Sequence, residues 1–133
     1  ISSETALRTA VLAARSISYS TGPSGVALAR MFERWGIAAQ IQDRIVTPPP
    51  GTPVGSLVAS GAVELGFQQL SELMHLPGIE VLGPLPEAIQ IMTTFSAGIC
   101  GTCRNTDAVR ALLADMRSPM ALAAKQAQGM EPV

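Results

Sequence analysis

Ser16-Ile17-Ser18-Tyr19-Ser20-Thr21-Gly22-Pro23-Ser24-Gly25-Val26 decides the fold. Ile17 and Tyr19 alternate with serines, as in a short half-buried strand. Thr21 to Gly25 is a small polar loop with Gly and Pro punctuation. Val26, Ala29, Met31, Phe32 and Trp35 then recur at helical spacing, and Gly36 ends the run. A second copy of the design follows. Arg44-Ile45-Val46-Thr47 reads as a strand, Pro48-Pro49-Pro50-Gly51-Thr52-Pro53 as the loop, and Val54 to Ser60 as the helix. A helix start carries unpaired N–H groups and a partial positive charge. Two such starts on one side of a sheet make a place for an oxyanion.

Around these copies, Ser2 or Ser3 caps a helix running to about Ala14, with Leu7, Ala10, Val11 and Ala14 as its stripe. Ile37 to Gln42 adds a short helical turn. Glu64 to Gln68 reads as a strand, and Leu70 to Met74 as a turn or two of helix. Ile79 to Leu82 reads as a short strand. Ile89 to Ile99 reads as a long extended strand crossing between two lobes. Asn105 or Thr106 caps a helix from Asp107 to about Met116, and Ser118-Pro119 starts another that ends at Gly129. Strands separated by helices imply an α/β fold with a mainly parallel sheet.

Composition narrows the function. The chain has 133 residues and a net charge of −1, so it offers no basic field for nucleic acid. Its arginines are scattered rather than clustered. Apolar residues make up 47% against 14% charged, which argues for buried elements rather than disorder. No uninterrupted apolar run reaches the length of a bilayer span. The opening Ile-Ser-Ser-Glu-Thr is neither an initiator Met nor a signal peptide, so the chain is expected to start inside a longer product.

Cys100-Gly101-Thr102-Cys103 is a C-x-x-C pair. Zinc would need two more ligands, and the only His is His75, so no metal and no cofactor are expected. A thiol redox site would place the pair at a helix start, whereas the helix is expected nearer Thr106. Glu64 and Glu72 are the acids near the loops, and nothing local suggests a tuned base. The chain reads as a binder with no catalytic residue. Ser20, Thr21, Ser24 and Gly25 on the first loop, Gly51 and Thr52 on the second, and Gln68 and Gln69 after the strand are the candidate ligand residues. Plain turn and capping chemistry also explains the serines and threonines, and a polar strand end explains the glutamines.

The order of elements resembles the type 2 periplasmic solute-binding proteins, closest to the molybdate-binding branch. The stretches that carry the resemblance are Ser20 to Val26, Leu57 to Phe67, Leu70-Ser71-Glu72, Asp107 to Leu113, Ser118-Pro119 and Gly129-Met130-Glu131-Pro132. Such proteins have two α/β lobes joined by crossover strands, with the ligand in the cleft. The resemblance implies that residues 1–90 are the second lobe with its anion-binding loops. Residues 91–133 would be the return crossover strand and C-terminal helices of the first lobe, whose opening half is absent. It places Ser24 at the first anion-contacting loop and Gly51 at the second. Gln69 stands where molybdate binders place a tyrosine hydroxyl. That change, with the proline run before Gly51, favours a carboxylate or other polar organic anion over molybdate.

The implied role is that of a periplasmic binding protein of an ABC transporter, holding a small anionic ligand and meeting a permease. Aconitate isomerase is a relative of this branch, so isomerisation of an unsaturated tricarboxylate on the same scaffold is the alternative. A thiol redox module using Cys100 and Cys103 is a weaker one. Apolar positions Ile91, Met92, Phe95, Ile99, Leu112, Leu113 and Leu122 would lack the missing lobe, so self-association of the chain is expected.

Overall fold

The computed structural model describes residues 1–131, and Pro132 of the tail motif lies outside them. Ile1–Thr93 form one compact unit and the residues from Thr94 a second.

The first unit opens with α1, Glu4–Ala13, capped by Ser3, whose Oγ accepts from the Ala6 N–H at 3.1 Å. Leu7 and Val11, one turn apart, are its buried face. Its other end is closed from far along the chain. Arg44 Nη1 donates to the Leu12 carbonyl at 2.9 Å and to the Ala14 carbonyl, and Nη2 donates to the Gln40 carbonyl at 3.2 Å. Strand β1, Ile17–Tyr19, follows, and then α2, Pro23–Arg34. Helix α2 begins three residues before the expected Val26. Proline suits a first helical position, where its missing N–H has no partner to lose. Gly36, at φ 67°, ends it in the left-handed region.

The expected strand 44–47 is a correction. Helix α3, Ala38–Ile41, runs into a 3-10 turn, Gln42–Arg44. Only Ile45 bridges Ile17 in parallel, and the Val46 N–H donates to the Ile17 carbonyl at 2.8 Å. Arg44 is held by its three carbonyls, and Pro48, Pro49 and Pro50 have no N–H to extend a ladder. Helix α4, Val54–Ala59, leads to β2, Leu65–Phe67, and α5, Leu70–Leu73. Strands β1 and β2 are parallel, with Ile17 opposite Leu65, Ser18 opposite Gly66 and Tyr19 opposite Phe67. Ile45 lies along β1 on the side away from β2, so three chain passages run the same way.

The two faces of this small sheet are covered differently. Ile17, Tyr19, Leu65 and Phe67 meet the core of α1, α2 and α3. Phe32, 1% exposed, is its centre, with Tyr19 and Phe67 rings edge-on at 6.0 and 6.2 Å. Ser18 and Gly66 take the opposite face, as strand alternation requires. A Cβ on Gly66 would stand 2.7 Å from Val58 and 2.9 Å from Val54, so the glycine lets α4 lie close on the sheet.

Two further strand expectations are corrected. Residues 79–82 form no strand, and neither do residues 89–99, where only a 3-10 turn, Glu87–Ile89, is regular. A strand needs a ladder partner, and no described segment pairs with either stretch. The second unit holds α6, Thr106–Asp115, and α7, Pro119–Ala127. Asn105 Oδ1 accepts from the Ala108 N–H and Ser118 Oγ from the Ala121 N–H, both at 3.3 Å. Among the described residues, none from 94 onward is buried.

Candidate functional site

Because β1, the Ile45 passage and β2 run parallel, the segments after Tyr19, Val46 and Phe67 all leave the sheet at one edge. In open parallel sheets that edge is where ligands bind. The candidate residues all stand on these three segments, so the fold brings the loops to a common edge.

The first loop is tightly built. Ser20 Oγ and Ser24 Oγ are 3.0 Å apart. Gly25 is buried, and a Cβ there would stand 1.5 Å from the Ser20 carbonyl oxygen. Only glycine lets the loop pass so close to the helix it feeds. Helix α2 has Gly22 at its cap position and no side-chain cap. Pro23 has no N–H, and the Val26 N–H donates to the Gly22 carbonyl at 3.1 Å. The Ser24 and Gly25 N–H groups are therefore the open donors of this first turn, with no acceptor among the described residues. Thr21 is exposed beside them.

On the second loop the Thr52 N–H donates to the Pro49 carbonyl at 3.0 Å. Gly51 sits in that turn at φ 77°, the left-handed third position of a type II turn with Pro50 before it. The turn uses the Thr52 N–H and leaves that of Gly51 without an acceptor among the described residues. On the third segment, Gln68 Oε1 accepts from the Gly55 N–H at 3.3 Å. Gln68 thus caps the uncapped α4 from another loop, and its amide NH₂ remains as a donor. Gln69 is the cap residue of α5, and its own side chain makes no capping bond.

Sequence reasoning missed the Gln68–Gly55 bond and the Arg44 clamp. Both join positions far apart in the chain, and neither leaves a local signature.

Glu64 stands apart from these loops. Glu64 accepts from the Arg15 N–H at 2.7 Å and from Arg15 Nε at 3.1 Å. The backbone donor first, and the Arg15 side chain second, hold its carboxyl below the usual range, although it is exposed. It lies where the strands begin, at the edge opposite the loops, beside an open hollow lined by Arg15, Ser16, Gly61 and Val63. A carboxylate so held is a weak proton acceptor, unlike a general base.

The comparison with known families meets this geometry. A model described as bacterial extracellular solute-binding protein matches residues 1–131. The chain belongs to this family. Members bind a small solute, which agrees with loops that offer open donors. The family is described as extracellular, which points to a periplasmic or extracellular place for the parent protein. Over 136 aligned positions the chain is 38% identical to aconitate isomerase of a Pseudomonas species. The alignment covers 100% of this chain and 51% of that relative, so the chain spans about half its length. No solved structure matches the chain.

Proposed function

We propose that the chain contributes one wall of an interlobe cleft that holds a small organic anion bearing carboxylates. The observation that carries this reading is the first turn of α2. Its Ser24 and Gly25 N–H groups have no acceptor among the described residues, and the Ser20–Ser24 hydroxyl pair stands beside them. Helix starts favour negative charge, and backbone donors fit carboxylate oxygens. The Gly51 N–H and the amides of Gln68 and Gln69 add donors from the other two loops of the same edge. Thr21 and Thr52 supply further hydroxyls. Amide side chains offer both donor and acceptor, which suits an anion with several functional groups better than a bare tetrahedral oxyanion.

In this reading residues 1–90 are one α/β lobe, and residues 91–133 are the return segment and closing helices of the other. The protein is periplasmic, delivers its ligand to an ABC permease, and closes lobe on lobe to dry the site and strengthen each hydrogen bond. Molybdate is the ligand this branch resemblance would suggest and the glutamines argue against.

A second reading rests on the aconitate isomerase relative. An isomerase would hold an unsaturated tricarboxylate on these same donors and move a proton beside a carboxylate. Its base would come from outside the three loops, which carry no acid.

Calorimetric titration with molybdate, sulfate, citrate and the aconitates tests the proposal. Heat with the carboxylates and none with molybdate is expected. Ser24→Ala and Gln69→Ala should each weaken binding by about 1–3 kcal/mol, the value of a hydrogen bond to a charged group. Unchanged titrations for both variants would remove the site. Ultraviolet absorbance on the aconitates separates the readings, since a binder leaves the spectrum constant.

A further inference from the structure

The loops of the first unit leave the two cysteines unused. Cys103 donates its backbone N–H to the Cys100 carbonyl at 3.0 Å, which closes a four-residue turn over Gly101 and Thr102. Neither central residue has a positive φ, so the turn is of type I. A hydrogen-bonded turn keeps its first and last Cα atoms within about 7 Å, inside the span that a disulfide bridges. Both thiols are free, Cys100 exposed and Cys103 half-buried. Helix α6 starts at Thr106, beyond the pair, with Asn105 as its cap. Neither sulfur therefore stands in the first helical turn, where catalytic C-x-x-C pairs activate a thiolate. The family is extracellular, and thiols outside the bacterial cytoplasm meet an oxidising medium.

We propose that Cys100 and Cys103 are a modification site that closes into an intramolecular disulfide, fastening the turn ahead of α6. The oxidant is a disulfide of that medium, either a small-molecule disulfide or an oxidoreductase in its disulfide form. Cys100, the exposed partner, loses its proton and attacks one sulfur of the oxidant. The oxidant's S–S bond breaks, one thiol leaves, and a mixed disulfide remains on Cys100. Cys103 then loses its proton and attacks the Cys100 sulfur. The new S–S bond forms within the chain, and the second thiol of the oxidant leaves. Two electrons and two protons pass from the pair to the oxidant, which is reduced to two thiols. The half-burial of Cys103 makes it the resolving residue, reached more easily by its neighbour across the turn than by an external disulfide.

Oxidised glutathione serves as the probe on the full chain, read by intact mass and thiol titration. The expected product is lighter by two hydrogens, carries no glutathione, and has no titratable thiol. Cys103→Ser should stall at a stable glutathione adduct on Cys100, and Cys100→Ser should react more slowly. In denaturant the wild-type chain should carry more adduct and less closed disulfide, because the turn is gone. Stable adducts on both cysteines, or persistence of both thiols, would overturn the proposal. So would covalent dimers in place of the internal bond. Equal closure in native and denatured chains would show that the turn does not place the pair, and would overturn it too.

Discussion

Helices α2 and α6 are of similar length, 12 and 10 residues, yet they begin in opposite ways. In residues 94–131, Asn105 and Ser118 give α6 and α7 their own side-chain caps. In residues 1–93, the helices that follow the parallel passages, α2, α4 and α5, have no cap from their own cap residue. Helix α1, which follows no passage of the sheet, is capped by Ser3. Helix α3 also lacks a side-chain cap, but it follows Gly36 off the end of α2 rather than a strand. Burial divides the chain in the same place. Among the described residues, every fully buried side chain belongs to the first unit, from Leu7 to Val63. The lesson is that a packed core lets a helix leave its first turn open. A helix of 9 or 10 residues without a core depends on its local caps. The start of α2 stays open, that of α4 is served by Gln68 from another loop, and the caps of α6 and α7 serve stability.

That contrast can be broken first at the core. Phe32→Ala should cost about 3–5 kcal/mol in denaturant unfolding, with Trp35 fluorescence as the reporter. A cost under about 1 kcal/mol would mean that the aromatic cluster does not organise the first unit.

The next largest effect is expected at the loop. Gly25→Ala places a methyl against the Ser20 carbonyl, so loop and helix must part. A loss of about 1–3 kcal/mol should follow, together with weaker ligand binding. Unchanged stability would show that the close approach is not required.

Ser118→Ala probes the other region. It removes the α7 cap and should cost about 0.5–2 kcal/mol of local stability, read from hydrogen exchange of the α7 amides. The same substitution at Ser24 should leave α2 exchange unchanged, because Ser24 Oγ faces Ser20 rather than a helix N–H.

The smallest effect concerns acid. Bonds from Arg15 depress the Glu64 pKa below 4.5 in the folded chain. A depressed carboxyl stabilises the fold above its unfolded pKa, and loses that contribution as pH falls through the folded value. Stability should therefore drop on the acid side of 4.5, and Glu64→Gln should flatten that slope. An identical acid profile in the variant would show that the pair is solvated away.

Much of this was legible in the sequence because it is local. Ser3, Asn105 and Ser118 cap the helices that their side chains announce, and Gly36 and Gly129 stand at φ 67° and 71° where helices end. The order of loop and helix after Tyr19 could be read as well, although Pro23 starts α2 earlier than the apolar stripe suggested. What could not be read depends on distant partners. Ile45 and Val46 have strand composition, but the proline run and the Arg44 clamp reduce them to a bridge. Ile89 to Ile99 has the composition of a strand without a ladder. At the candidate edge, the serines and glycines were evident from turn chemistry. That Gln68 serves the start of α4 was not, since the bond joins two loops.

The most direct test follows the backbone amide resonances of the chain during titration with cis-aconitate. The Ser24 and Gly25 amides, open at the start of α2, should shift progressively with Gly51. The Ala108 and Ala121 amides, already bonded to Asn105 and Ser118, should stay in place. Equal movement of all five, or movement confined to the capped pair, would contradict the assignment of the open helix start as the anion site.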